Sequence, residues 1–232
     1  MAKKTNRFLL GQKIVVGAAI VLAVGLMGGL YLMVLTEAPL GEFVEGEHYT
    51  LIENPRRVRG DKVEVMEFFS YACIHCYNFD DRLNTWARKN SEQVEFIRTP
   101  AIGSNSWRLL GRAYYTMEEF DILEENHSRL FREIHDLGRN INSIDALASW
   151  IDGQGTTSTA FRSMFNSNVI NRKIEFADQM SRRLRVSTVP TIIVNGKYMV
   201  RVTADVGLSR MLDIMDHLVN KELTPTGTDS NP

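Results

Sequence analysis

Only two cysteines occur in the 232 residues, Cys73 and Cys76. That scarcity excludes a four-cysteine zinc site and a scaffold of several disulfides. No internal repeat is present. Nor is there a surplus of positive charge: 27 Lys and Arg stand against 28 Asp and Glu, a formal net charge of −1. The balance conceals an asymmetry. Residues 1–13 carry Lys3, Lys4, Arg7 and Lys13 and no acid, and the next 22 residues carry no charge. The remainder, from Thr36 onward, holds 23 basic and 28 acidic side chains, a net charge of −5. A body of that sign has no electrostatic reason to bind nucleic acid. Hydrophobic content of 44% and charged content of 24% are those of a globular chain. The length allows one ordinary domain with attachments, or two small ones.

The uncharged stretch, Ile14 to Leu35, is built from Ile, Val, Ala, Leu, Met and Gly with one Tyr. A membrane-spanning helix needs about 20 such residues, whereas the apolar core of a cleaved signal peptide has about 7–15. The basic flank precedes the span and Glu37, Glu42, Glu45 and Glu47 follow it, which predicts a cytoplasmic N-terminus and an exported body. The expectation is an uncleaved single-pass anchor in a bacterial inner membrane. The alternative is a soluble periplasmic protein released by signal cleavage, although a cut after Ala38 would leave Pro39 at the new terminus. On either reading Cys73 and Cys76 lie outside the cytoplasm, where disulfides persist.

Cys73-Ile74-His75-Cys76 sits at a change of pattern. Val63 to Ser70 reads as a buried strand, and Tyr77 to Lys89 as a helix. A C-x-x-C at a strand-to-helix junction is the expected place for a redox dithiol, because one helical turn brings the two sulfurs together. Before it, residues 36–48 read as a linker and Tyr49 to Ile52 as a short edge strand. After it, Gln93 to Thr99 is the next strand. Helical spacing follows in Trp107, Leu110, Tyr114 and Met117, with Ser104 or Ser106 as cap. Further helices are expected around Leu130 to Ile134, from Ser143 to Ile151, from Thr156 to Phe165 and from Asn168 to Leu184. Pro190 to Val194, Asn195-Gly196 and Lys197 to Val202 predict a hairpin with a type I′ turn. The last helix spans about Gly207 to Glu222, and residues 223–232 read as a disordered tail. The order β, β, α, β, helical block, β, β, α is that of an α/β protein whose small sheet is interrupted by an all-helical insertion.

This pattern resembles the thioredoxin fold. The runs Glu45-Gly46-Glu47-His48-Tyr49-Thr50, Glu67 to Tyr77, Val189-Pro190 and Val194 to Tyr198 resemble more narrowly the DsbA family of periplasmic thiol:disulfide oxidoreductases, from residue 45 to about 220. Ile74-His75 stands where that family's best-known member has Pro-His. The resemblance divides the body into thioredoxin-like parts at 49–102 and 169–222, with the insertion at 103–168, behind a basic tail at 1–13 and an anchor at 14–35. It implies an oxidase that donates the Cys73–Cys76 disulfide to exported proteins during folding. A quinone-linked, DsbB-like membrane protein would reoxidise it, with no metal or organic cofactor.

In this reading Cys73 is the exchange centre, its thiolate favoured by the helix N-terminus, and Cys76 is the buried partner. His75 would tune the thiolate. The resemblance further implies a cis bond before Pro190, a Val189 backbone that binds substrate, and a Glu67 beneath the cysteines that moves the Cys76 proton, paired with Arg98. Ile74 and Tyr71 would border the substrate, Tyr71 at a hydrophobic peptide groove. His48, His127, His135 and His217 belong to no constellation and are expected in solvent. Three rivals remain. One is the same chemistry run as a reductase or isomerase. Another is a metal chaperone using Cys73, Cys76 and His75, and the last is a fold retained only as a peptide-binding surface.

Overall fold

The structure is a computed structural model that describes Gly17, Leu22, Gly25 and residues 43–224. The chain divides into two units, Met1–Phe43 and Val44–Pro232. In the first, Gly17, Leu22 and Gly25 are helical. Otherwise the basic tail, the anchor at 14–35 and the start of the linker lie outside the described residues, as does the tail from residue 225. Among the described residues no helix is long and apolar enough to cross a membrane.

The second unit is organised by one strand. Val63–Phe69 (β2) is buried along its whole length, Glu64 and Glu67 included, as in a strand covered on both faces. A crossover helix, Ile74–Lys89 (α1), returns the chain to a parallel neighbour, Val94–Pro100 (β3). The other strands are Thr50–Leu51 (β1), Thr191–Val194 (β4) and Tyr198–Arg201 (β5), and the sheet order is β1-β5-β4-β2-β3. β4 runs antiparallel to β2, with Glu67 opposite Ile192 and Phe68 opposite Thr191. That register brings the segment just before β4 to the end of β2 where the C-x-x-C begins.

Between β3 and β4 lie five helices: Asn105–Glu119 (α2), Leu123–His135 (α3), Ile144–Ile151 (α4), Ser158–Phe165 (α5) and Asn168–Arg183 (α6). A last helix, Leu208–Leu223 (α7), closes the unit. Four of these helices begin where a hydroxyl accepts the N–H three residues on: Ser104 from Trp107, Ser143 from Ala146, Thr157 from Ala160 and Ser167 from Ile170. Each such cap satisfies a donor that the first helical turn leaves unpaired. α3 opens at Ile122 without a side-chain cap, so it begins well before the apolar pair Leu130 and Phe131 makes it visible in the sequence.

The insertion and the sheet share apolar packing. Leu130, Phe131, Leu147, Ile151, Phe161 and Ile170 form one cluster with Phe69, Tyr71 and Cys76. On the sheet, Met66, Phe68, Ile193 and Met199 pack against Met180 and Leu184 from the end of α6. Trp86 on α1 donates its indole N–H to Asp216 on α7 at 2.6 Å.

The linker reading fails at its C-terminal end. Val44 to Tyr49 is a closed turn in which the Gly46 N–H donates to the Tyr49 carbonyl at 2.7 Å and the Val44 N–H to His48 Nδ1 at 3.0 Å. His48 is buried there rather than solvated. The hairpin takes the expected turn, with Asn195 at φ 50° and Gly196 at φ 64°. The Arg56 N–H donates to the Gly196 carbonyl at 3.0 Å, and a Cβ on Gly196 would collide with the Arg56 carbonyl. Gly196→Val therefore combines positive φ, a branched Cβ and a backbone clash. It is expected to lower the free energy of unfolding by about 2 kcal/mol or more in urea titration, and an unchanged midpoint would refute the packing described.

Candidate active site

The chain leaves β2 through a tight turn. The Ala72 N–H donates to Ser70 Oγ at 3.2 Å and the Cys73 N–H to the Ser70 carbonyl at 3.0 Å. Cys73 then stands as the N-cap of α1 in extended conformation, with φ −98° and ψ 115°. Its sulfur takes the place usually held by a serine or aspartate oxygen and accepts the Cys76 N–H at 3.4 Å. The thiol of Cys73 reaches the Val189 carbonyl, also at 3.4 Å. The Val189–Pro190 bond is cis.

The two sulfurs differ. Cys73 is partly exposed, whereas Cys76 is only 1% exposed. The Cys73 pKa is lowered to about 6, chiefly because the Cys76 thiol donates a hydrogen bond to it, with further help from the N–H groups of Cys76 and His75 and the charge of His75, against an opposing effect of burial. Burial pushes the Cys76 thiol far up, and the neighbouring Cys73 sulfur and the Glu67 carboxylate push it further. One sulfur of the pair is thus a thiolate at neutral pH, and its partner keeps the proton.

Beneath the pair lies a buried polar chain. The β2–β3 register sets Glu67 directly opposite Arg98, and Arg98 Nε donates to Glu67 Oε2 at 3.0 Å. The other end of the guanidinium donates to Asp80 Oδ1 at 3.2 Å and to Asn84 Oδ1. Asp80 also accepts from His127 Nε2 at 3.2 Å and from the Ser128 hydroxyl at 2.7 Å. Tyr71 O–H lies 2.7 Å from His127 Nδ1. Burial raises Glu67 to about 7 in spite of Arg98. Burial would raise Asp80 too, but the hydrogen bond and charge of His127, the charge of Arg98 and the Ser128 hydroxyl together hold it below the usual carboxylate range. Burial lowers the His127 pKa and so favours the neutral imidazole. With Nε2–H turned to Asp80, Nδ1 is free to accept the Tyr71 proton.

The structure gathers Cys73, Cys76, Val189 and the cis bond at one point, with Glu67 below and Ile74 and His75 exposed at the start of α1. It does not put Tyr71 at a groove. Tyr71 is 1% exposed and turned inward onto His127, because its ring packs against Phe69 and Phe131 in the shared core. His127, like His48, was expected in solvent. It is buried, and together with Ser128 it carries the insertion's contacts to Asp80. His135 is half-buried, with Nε2 2.8 Å from the Tyr71 carbonyl and its ring stacked on Tyr77, and His217 is half-buried beside Tyr49. The available signal was the spacing of His127, Phe131 and His135, which places all three on one face of α3.

The thioredoxin family profile matches residues 58–214. The thiol:disulfide interchange protein DsbA of Pseudomonas aeruginosa is 30% identical over 186 residues, which cover 80% of this chain and 88% of that protein. Its counterpart in Azotobacter vinelandii is 32% identical over 161 residues, covering 69% and 75%. The crystal structure of Pseudomonas aeruginosa DsbA superposes with a TM-score of 0.74 at 30% identity, over 79% of this chain and 96% of that one. The oxidoreductase DsbA from Xylella fastidiosa gives 0.72 at 31% identity, over 78% and 98%. A thioredoxin-type sheet that presents an exposed and a buried cysteine at the head of a helix defines a protein disulfide oxidoreductase. Within that class, the chain belongs to the DsbA family.

Two measurements test this electrostatic picture. In the reduced protein the thiolate absorbance of Cys73 should titrate near pH 6, and Cys76→Ala should move that midpoint up by about one unit, the worth of one hydrogen bond to an anion. Glu67 concerns stability. Its folded pKa, near 7, stands above the ordinary 4.5. Its contribution is therefore fully present below pH 4.5 and is lost as pH rises through 7. Glu67→Gln lacks that loss, so its stability relative to the parent should climb between those pH values, by of order 3 kcal/mol, and level off above. Parallel stability curves for the two proteins would contradict the placement of Glu67.

Proposed function

We propose that this protein is an oxidase of exported proteins. The observation that carries the reading is the unequal pair: Cys73 is held as a thiolate at the N-cap of α1, while Cys76 is buried and protonated. Stabilising one sulfur as an anion favours the dithiol over the disulfide and makes the disulfide a readier electron acceptor. In the forward reaction a substrate thiolate attacks Cys73 Sγ, and the Cys73–Cys76 bond breaks. Cys76 leaves with the electron pair and takes a proton, for which Glu67 is suited by a pKa near 7. A second substrate thiolate attacks the substrate sulfur of the mixed disulfide and releases Cys73 as thiolate. Two electrons pass from the substrate to the enzyme, and no other cofactor is needed. A quinone-linked, DsbB-like membrane protein would take them on.

The remaining roles follow from position. Val189, whose carbonyl lies 3.4 Å from Cys73 Sγ, offers its backbone to the substrate chain, and Pro190 holds that loop. Ile74, 48% exposed and next to Cys73 in the chain, supplies apolar contact to the substrate. His75 adds charge close to Cys73, and Tyr71 supports the site from below. For the rest of the chain, we take 14–35 as an uncleaved anchor that tethers the periplasmic body to the inner membrane, on the strength of its length and its flanking charges. Signal cleavage is the alternative.

Equilibrating the purified body with glutathione redox buffers tests the direction. The oxidase reading expects a potential near that of DsbA, about −120 mV, well above thioredoxin at about −270 mV. A thioredoxin-like value would make the protein a reductase or isomerase, with Ile74 in place of proline as the first residue to examine.

A further inference from the structure

β3 is the outermost strand of the five-stranded sheet, and among the described residues β2 is its only strand partner. The Val63 N–H donates to the Gln93 carbonyl at 2.9 Å, and the Ala101 N–H to the Phe69 carbonyl at 2.8 Å. In a parallel ladder every second residue bonds to the same neighbour. Glu95, Ile97 and Thr99 therefore turn their backbone groups to β2, and Phe96 and Arg98 turn theirs away. Val94 also faces away, but its N–H is taken by the Asn90 carbonyl at 2.9 Å, and Pro100 has no N–H. Among the described residues, no partner meets the backbone N–H or C=O of Phe96 or Arg98.

An open edge is usually blunted by a bulge, a proline or an outward charge. None of these protects Phe96 and Arg98. The pairing with β2 runs without a bulge through seven residues, and the Arg98 charge is turned inward onto Glu67 and Asp80. A groove of about 800 Å³ opens beside the two residues, between α1 and the start of α3. Phe96 and Leu123 are half-buried apolar surfaces in it, and the Phe96 ring lies 4.8 Å from the Arg98 guanidinium. Cys73, Cys76 and Val189 take no part in its lining.

We propose that the free edge of β3 and this groove form a docking strip: an extended segment of another polypeptide, with lysine or arginine at alternate positions, adds to the sheet there as a sixth strand. The strip is separate from the exchange site, and the proposal stands whatever the direction of the redox chemistry. The open backbone groups of Phe96 and Arg98 supply two donors and two acceptors for main-chain pairing. Alternate side chains of the added strand fall on one face and enter the groove. There the aliphatic stem of a lysine can lie on Phe96 or Leu123 while its ammonium reaches the acids beyond.

Those acids choose the occupant. Asp121, Glu124 and Glu125 are exposed, and among the described residues their side chains have no ion pair or hydrogen bond. Glu118 is held by Lys173 at 2.6 Å and Arg98 by Glu67 and Asp80, so Arg88 is the one cation of the lining without an acid. Three free carboxylates against one free guanidinium give the groove a net charge of −2. Glu124 and Glu125 also suit the first turn of α3, which has no side-chain cap, but that interaction leaves both in water and open to a cation. A second copy of this chain would bring the same acids to the same edge. Residues 225–232 carry Asp229 and no base. The strongly basic residues 1–13 precede the uncharged span and, on the anchor reading, lie across the membrane from this body. A basic segment of a different chain is the occupant that fits.

Hydrogen exchange of the isotope-labelled full chain, in uncharged detergent, tests this residue by residue. The probe is a cysteine-free octapeptide of alternating Lys and Thr, with a Glu/Thr peptide as its counterpart. Without peptide, the amides of Phe96 and Arg98 should exchange far faster than those of Ile97 and Thr99. The Lys/Thr peptide should slow Phe96 and Arg98 by about tenfold or more, and the Glu/Thr peptide should not. Phe96→Pro removes one outward donor that the β2 ladder does not use, and should abolish the protection at Arg98. Phe96→Val keeps that donor and should retain it. Neutralising the acids together, in Asp121→Asn, Glu124→Gln and Glu125→Gln, should weaken the peptide about fivefold or more. Equal protection by both peptides, protection confined to residues around Cys73, or an unchanged affinity in the neutralised variant would overturn the strip. Protection of Phe96 and Arg98 that rises with protein concentration and needs no peptide would assign the edge to a second copy instead. If Phe96→Pro fails to fold, the neutralised variant decides alone.

Discussion

Arg98 is the charge on which the site is built. It is an edge-strand residue whose side chain is turned in, under α1, and largely shielded from water, 16% exposed. A buried guanidinium must be met on every donor. Glu67 from β2, Asp80 and Asn84 from α1 and, through Asp80, His127 and Ser128 from α3 meet that demand. Three segments far apart in sequence are thereby held at fixed distances by one planar cation. The arrangement sets the position of α1, hence of the sulfur at its head. It also sets the charge beneath Cys76. Glu67 alone in so dry a place would be neutral through most of the physiological range. Arg98 draws its titration back to the region where proton exchange with a thiol is useful.

Much of this was legible in the chain, and the parts that were not share a cause. The hairpin could be read because Asn195-Gly196 needs two left-handed residues and few other pairs tolerate that conformation. α2 and α4 announced themselves by Ser104 and Ser143, whose hydroxyls act within four residues, and α6 by its length. β2 showed as a mostly apolar run of strand-forming residues. In each of these cases the cause lies next to its effect in sequence. The start of α3 had no cap and was missed. His127 and Tyr71 went wrong for a deeper reason: they are 56 residues apart, and each is buried only because the other is there to satisfy it. A lone histidine on a polar helix and a tyrosine beside a cysteine pair both look like surface residues until the fold brings them together. Glu67 and Arg98 lay between these extremes, since strand register makes them neighbours once the two strands are known to be parallel and adjacent.

The insertion is more than an addition to the rim. Its apolar cluster continues without interruption into Phe69, Tyr71 and Cys76, and α3 closes the polar chain from the side opposite the sheet. The burial that raises Cys76 and Glu67 is therefore partly supplied by residues outside the strands and helices of the thioredoxin core. Members of one family that differ in this block would differ in the dryness of the site even with identical cysteines, and so in the separation between the two thiols.

The cap of α1 is a sulfur, and this has a consequence for the helix itself. Every other capped helix in the insertion begins on a hydroxyl oxygen, which never changes its bonding. α1 begins on an atom that alternates between an anion and one half of a covalent bond, and only the anion is a strong acceptor for the first-turn N–H. The strength of the α1 cap and the redox state of Cys73 are thus linked. Electrons arriving at Cys73 tighten the first turn, and their departure slackens it. A helix whose first turn is capped by a redox-active atom has an end whose firmness depends on the state of that atom.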